Sequence, residues 1–188
     1  MIGVTNNKKG FTLVELLIVV IILAVLAAIV VPQFGSSTED AKISTLKANL
    51  ASMRNAIELY YHQHDSTYPG TLSETDGTTP TDSTTCPAAF VAQLTQYTNK
   101  AGKVSGTKDV ANGFKYGPYI KTPQSLPANP FIDTAVAVNI MCDTVEDDIT
   151  APITVDPSKG GWKIYTYFGR FIANDNTTLS DGTKTSTF

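Results

Sequence analysis

The chain has 188 residues and a formal net charge of −3, with only 16% charged against 42% hydrophobic residues. That charged share is well below the roughly 25% of an average soluble domain. The 14 Lys and Arg are scattered among 17 Asp and Glu, which excludes an electrostatically driven nucleic-acid binder. Two cysteines and two histidines exclude a zinc-finger or zinc-ribbon framework.

Residues 1–10 are polar and carry Lys8 and Lys9; Phe11-Thr12-Leu13-Val14-Glu15 follows, then an unbroken apolar run over residues 16–31. As a helix, residues 11–31 would extend about 31 Å, the thickness of a bilayer core. The two lysines favour a cytoplasmic amino terminus, leaving the remainder outside the cytoplasm. A cleaved secretory signal and a plain single-span anchor both fit the hydropathy, but neither accounts for Glu15. A carboxylate within an apolar span costs about 2.5–3.5 kcal/mol at the helix centre and so needs a partner or a role. A cut after Gly10 would create an ammonium at Phe11, one helical turn from Glu15 and near the positive end of the helix dipole.

The run Lys8-Lys9-Gly10-Phe11-Thr12-Leu13-Val14-Glu15-Leu16-Leu17 resembles the processing signal of type IV prepilins and type II secretion pseudopilins. The resemblance implies that a membrane prepilin peptidase cuts between Gly10 and Phe11 and that Phe11 is N-methylated. It implies that Glu15 pairs with the Phe11 ammonium of a neighbouring subunit. It also implies a homo-oligomeric helical filament, built by an assembly platform in the inner membrane from subunits first stored in lipid. Pro32 then marks a helix break, where the helix either ends or bends and continues.

Beyond it, residues 41–64 hold no Gly or Pro, and Ile43, Leu46, Leu50, Met53, Ile57 and Tyr60 recur at alternating spacings of three and four. This is one apolar stripe on a helix, to be covered by a globular head. The expected organisation is a leader (1–10), a long helix (11–64, with 11–31 the membrane span and 41–64 amphipathic) and a head (65–188). His62 and His64 cannot face one metal from a helix at i,i+2, and read as a solvated helix end.

In the head, nine of residues 71–85 are Ser or Thr, which predicts an exposed polar loop. Phe90, Val91, Leu94 and Tyr97 suggest a short helix, and residues 137–141 a strand. Residues 162–168 and 171–173 suggest a hairpin turning at Gly169 and alternating along its first strand. Tyr68-Pro69, Gly117-Pro118-Tyr119-Ile120, Leu126-Pro127-Ala128-Asn129-Pro130-Phe131 and Gly160-Gly161-Trp162 resemble the head of major pseudopilins. That resemblance implies an α+β type IV pilin fold, a long helix on a small antiparallel sheet. It also implies a calcium ion in a carboxyl-terminal loop, for which Asp175 and Asp181 are the nearest candidates. Asp is equally an ordinary turn residue. Cys86 and Cys142, an even pair outside the cytoplasm, are expected to form a disulfide.

No nucleophile–base pair, phosphate loop or metal cluster is legible, so no enzyme is expected and no cofactor beyond that calcium ion. The expected function is a structural filament subunit. The alternatives are a secretion pseudopilin and an unrelated membrane-anchored binding domain. The expected location is the inner membrane, then a periplasmic or extracellular filament.

Overall fold

The computed structural model describes residues 10–121, 125–133 and 135–188, except for the side chains of residues 29–37. The leader lysines Lys8 and Lys9 lie outside these residues. The chain divides into two compact units, Met1–Ala41 and Lys42–Phe188, and helix α1 (Leu13–Gln63) contributes residues to both.

In the first unit, the large apolar residues from Leu13 to Leu26 are 47–89% exposed. The segment is apolar all round rather than striped, so no face is reserved for a core within the same chain. The expected span of 11–31 extends into residues 29–31, whose side chains are outside those described. Among the described residues, no helix is long and apolar enough to cross a membrane. Of the two outcomes open at Pro32, the structure has the helix continue: the backbone is helical through it, without a break in the helix there. Proline removes one i→i−4 hydrogen bond, and the bonded turns on either side propagate the helix past it.

The second unit is built on the stripe of α1. Leu46, Leu50, Met53, Ile57 and Tyr60 are at most 1% exposed, while Lys47, Asn55 and Glu58 face water. Against the stripe lie Phe90 and Leu94 of helix α2 (Cys86–Thr95), with Pro87 in its first turn where a missing N–H costs nothing. Strands β1 (Tyr97–Thr98) and β2 (Val104–Ser105) form a short antiparallel pair. The principal sheet runs β3 (Ile140–Asp143), β4 (Trp162–Tyr165), β5 (Arg170–Ala173), with Trp162 stacked on Phe171 at 5.3 Å.

The architecture is the expected α+β arrangement of a long helix with a small sheet, but the sheet is mixed. β4 and β5 form an antiparallel hairpin through Gly169 (φ +69°), whereas β3 lies parallel to β4 with Ile140 beside Trp162. Residues 144–161 supply the long return connection that a parallel pair requires. The expected strand at 137–141 starts later. Ala135–Val138 form a 3-10 turn whose Val136 and Ala137 carbonyls accept from the Gly161 and Asn129 amides. Nor does β4 alternate, because it is central and buried on both faces. Trp162 and Ile164 enter the core under α1 and α2, and the return connection covers Lys163.

Candidate functional site

At the amino-terminal end, Thr12 and Glu15 form a reciprocal pair ahead of the apolar helix. The Thr12 amide and hydroxyl donate to Glu15 Oε2 at 2.9 and 2.8 Å, and the Glu15 amide donates to Thr12 Oγ1 at 3.2 Å. This is a capping box, which satisfies amide groups that a helix start leaves unpaired. Its signature, Thr-x-x-Glu before an apolar run, stands in the sequence at residues 12–15, although Glu15 there reads only as an ion-pair partner. Both Thr12 bonds fall on Oε2, and Oε1 has no partner among the described residues. Phe11 is 85% exposed, and a Cβ at Gly10 would meet nothing within 4 Å. Packing within the described chain therefore sets no requirement for glycine at position 10.

In the head, two of the singled-out motifs and the Asp175 candidate converge. Buried Asn129 donates to the Gly161 carbonyl at 2.9 Å and to Asp175 Oδ2 at 2.8 Å, and Trp162 Nε1 donates to the Pro127 carbonyl at 2.7 Å. A Cβ at Gly161 would stand 2.2 Å from the Ala137 carbonyl oxygen, so the backbone approach there depends on glycine. Asn174 holds the return connection from the other side. It donates to the Asp156 and Gly160 carbonyls at 2.8 and 2.9 Å and accepts from the Asp156 amide at 2.7 Å.

Cys86 and Cys142 form a disulfide that joins the first turn of α2 to β3, with both residues buried. Gly70 (φ +82°) passes so close that a Cβ there would lie 2.9 Å from Cys86 Sγ.

Asp175 and Asp181 are not brought together as cation ligands. Asp175 is 3% exposed, and its carboxylate accepts from Asn129 Nδ2, the Thr177 amide at 2.9 Å and the Thr185 hydroxyl. Hydrogen-bond donors thus fill the positions that a calcium ion would need as open oxygen ligands. Asp181, exposed, accepts from the Thr183 amide at 2.8 Å, and this bond is the leading cause of its lowered pKa. Among the described residues, no group of three or more His, Cys, Asp or Glu could hold a metal ion. Asp175 as placed therefore has no open carboxylate oxygen to offer a cation.

Three polar residues take positions that the sequence reading missed. His64, expected at a solvated helix end, is 2% exposed and stacks on Tyr60 at 3.7 Å. Its Nδ1–H donates to the Tyr60 carbonyl at 2.8 Å, and its Nε2 accepts from Thr98 Oγ1 at 2.9 Å. Burial lowers its pKa, and bonding to neighbouring backbone opposes the shift only in part. Lys163 is fully buried and reaches Asp143 Oδ2 at 3.1 Å and Thr154 Oγ1 at 2.8 Å. Burial opposes ionisation of Asp143, but the Glu146 amide and the Lys163 ammonium outweigh it and hold its pKa below the usual value. Arg54, on the polar side of the stripe, donates from Nε and Nη2 to the Phe171 carbonyl on edge strand β5, at 3.1 and 2.9 Å. Only Arg54 carried any signal, a cation one residue after the stripe's Met53.

An uncovered apolar helix, a capped carboxylate at its start and a small α+β head define a class of proteins that expose a lipid-like helix at the amino terminus. The family profile described as "Prokaryotic N-terminal methylation motif" matches residues 5–31. The chain is similar to "Type II secretion system core protein G" of Pseudomonas aeruginosa, 40% identical over 29% of this chain and 39% of that protein. It is similar to "Type IV major fimbrial protein FimA" of Dichelobacter nodosus, 45% identical over 27% of this chain and 33% of that protein. It is also similar to "Type IV major alpha-pilin" of Moraxella bovis, 28% identical over 58% of this chain and 72% of that protein. The matches span about two fifths of the length of the first of these relatives and one third of the second. No solved structure matches significantly. The chain thus matches a methylation-motif profile and is similar, over part of its length, to type IV pilins and type II secretion core proteins G.

Proposed function

We propose that the chain is a structural subunit of a type IV pilus-like filament. In this reading a prepilin peptidase removes residues 1–10 and Phe11 is methylated. The apolar part of α1 anchors the subunit in the inner membrane, and after assembly the same residues pack between subunits. The observation that carries the reading is the apolar surface from Leu13 to Leu26, uncovered on every side in the single chain. Covering a half-exposed Leu, Ile or Val yields on the order of 1 kcal/mol relative to water. A dozen such residues give any water-facing arrangement a strong drive to find lipid or copies of itself. The open space around Gly10 and a Glu15 Oε1 without a partner among the described residues support processing and pairing at this end.

Mass spectrometry of the mature amino terminus tests the proposal. The expected species begins with methylated Phe11; an intact Met1, or a cut near Ala27, refutes it. The similarity to type II secretion core proteins G supports a second reading, a periplasmic pseudopilus that drives protein export. Electron microscopy of filaments sheared from cells, with peptide identification, separates the two. Surface filaments containing this chain favour the pilus. Their absence, together with an export defect on deletion, favours the pseudopilus.

A further inference from the structure

A cleft of about 410 Å³ lies within the second unit, where four segments meet. They are the end of α1 at Tyr61, the connection through Tyr68 and Thr71, the polar loop at Thr81, and the turn after β4 at Tyr167. The volume falls in the range of small-ligand sites. Its lining is three tyrosines, six serine or threonine side chains and one proline, with no charged side chain among the described residues.

One wall is rigid. Tyr61 and Tyr68 stack with ring centroids 4.4 Å apart, and Tyr68 is pressed so closely on the β4–β5 turn that a Cβ at Gly169 would stand 2.1 Å from its ring. The lining also offers Tyr167, 66% exposed. The Ser and Thr side chains of the lining carry hydroxyls that both donate and accept, so the cleft offers a neutral polar ligand partners of either kind.

We propose that this cleft binds a neutral saccharide. A pyranose ring has an apolar C–H face suited to the tyrosine rings, and a rim of hydroxyls that both donate and accept, as Ser and Thr do. With no charged side chain in the lining among the described residues, the cleft itself has nothing to neutralise a phosphate, a carboxylate or an ammonium. Tyr167 stacks on the sugar, and the Ser and Thr hydroxyls of the lining exchange hydrogen bonds with its rim. This binding is a property of one head and does not depend on filament formation.

The experiment uses the full chain in a zwitterionic detergent, since maltoside headgroups would compete. Threonine-methyl NMR and calorimetry follow titration with maltotriose, cellotriose, chitotriose and galactobiose. A heparin disaccharide, adenosine and a neutral peptide serve as comparators. At least one neutral saccharide is expected to bind one site per chain with a Kd in the millimolar range or tighter, shifting Thr71, Thr81 and Thr144. Tyr167→Ala, at an exposed side chain that the fold does not need, should weaken it about tenfold or more, a loss of about 1.4 kcal/mol. Val110→Ala, on another surface, should leave it unchanged. The proposal is overturned if no neutral saccharide gives saturable shifts, if Tyr167→Ala binds as the parent does, or if a comparator binds more tightly than every neutral saccharide.

Discussion

The disulfide is the largest single term that can be removed from the head without touching its surface. Cys86 and Cys142 are 56 positions apart. In the chain-entropy model, a closed loop of that size stabilises the folded state by about 4 kcal/mol. For a unit of roughly 150 residues with a total stability of about 5–15 kcal/mol, that is about a quarter or more. At about 2–4 °C per kcal/mol, the midpoint of thermal unfolding should fall by roughly 8–16 °C. Both cysteines are buried, so a reductant acts slowly on the native protein, and the double variant Cys86→Ala/Cys142→Ala is the cleaner perturbation. The single Trp162 is fully buried in the core and reports the transition by fluorescence in urea or on heating, with the full chain in detergent. The urea m-value should rise, because an uncrosslinked unfolded chain exposes more surface. A midpoint shift of less than about 2 °C, roughly 1 kcal/mol or less on the same scale, refutes the reasoning. The 86–142 segment would then already be restrained in the unfolded chain.

The Lys163–Asp143 pair predicts an asymmetry. Asp143→Asn strands an ammonium whose side chain is 1% exposed, whereas Lys163→Met leaves a carboxylate side chain that is 22% exposed. Urea unfolding should therefore show about 3 kcal/mol lost for Asp143→Asn and about 1–2 for Lys163→Met, and the reverse order contradicts the burial argument. With pH, two separate losses are expected. The lowered pKa of His64 means that its contribution is complete above the unfolded value near 6.5 and declines as pH falls through the folded value. His64→Gln should abolish that first step in the thermal midpoint. The lowered pKa values of Asp76, Asp82, Asp109 and Asp143 place the second below about pH 4, where the unfolded carboxylates protonate.

What the sequence makes legible is whatever follows a period or a local signal. The Leu46–Tyr60 stripe is written at helical spacing, and its residues are the ones buried. Gly169 between two aromatic, β-branched segments marks the hairpin, and the cysteine pair reads correctly from compartment alone. The parallel pairing of β3 is not legible, because four-residue strands carry no mark of their neighbour and the return connection has no helix to announce a crossover. His64 and Lys163 look like solvent-facing residues in any local window. Their partners Thr98 and Asp143 lie 34 and 20 positions away, and only the assembled fold shows that their polar atoms are satisfied. The surroundings of Asp175 are no more legible: its Oδ2 accepts from Asn129, a residue 46 positions earlier.

Glu15 combines two roles that one substitution can separate. Lipid tails are about as apolar as leucine, so the bare helix gains little by moving from membrane to filament. A preference for the filament then needs an interaction that lipid lacks, and a carboxylate meeting a neighbour's ammonium provides one. The capping box shows that Glu15 already has a use within its own chain, through Oε2, so loss of assembly in Glu15→Ala would not by itself distinguish capping from pairing. Glu15→Gln keeps a side-chain oxygen for Thr12 and removes the charge. If pairing drives assembly, the Gln variant should be processed at Gly10 normally yet form few filaments, like the Ala variant. If the cap is what matters, the Gln variant should assemble as the parent does while Ala fails, since losing such a cap costs about 0.5–2 kcal/mol. Filament yield from sheared cells, normalised to processed subunit by mass spectrometry, gives the answer. Parental yield from Glu15→Gln would remove the charge pair from the mechanism and leave the apolar packing and the assembly machinery to set the direction.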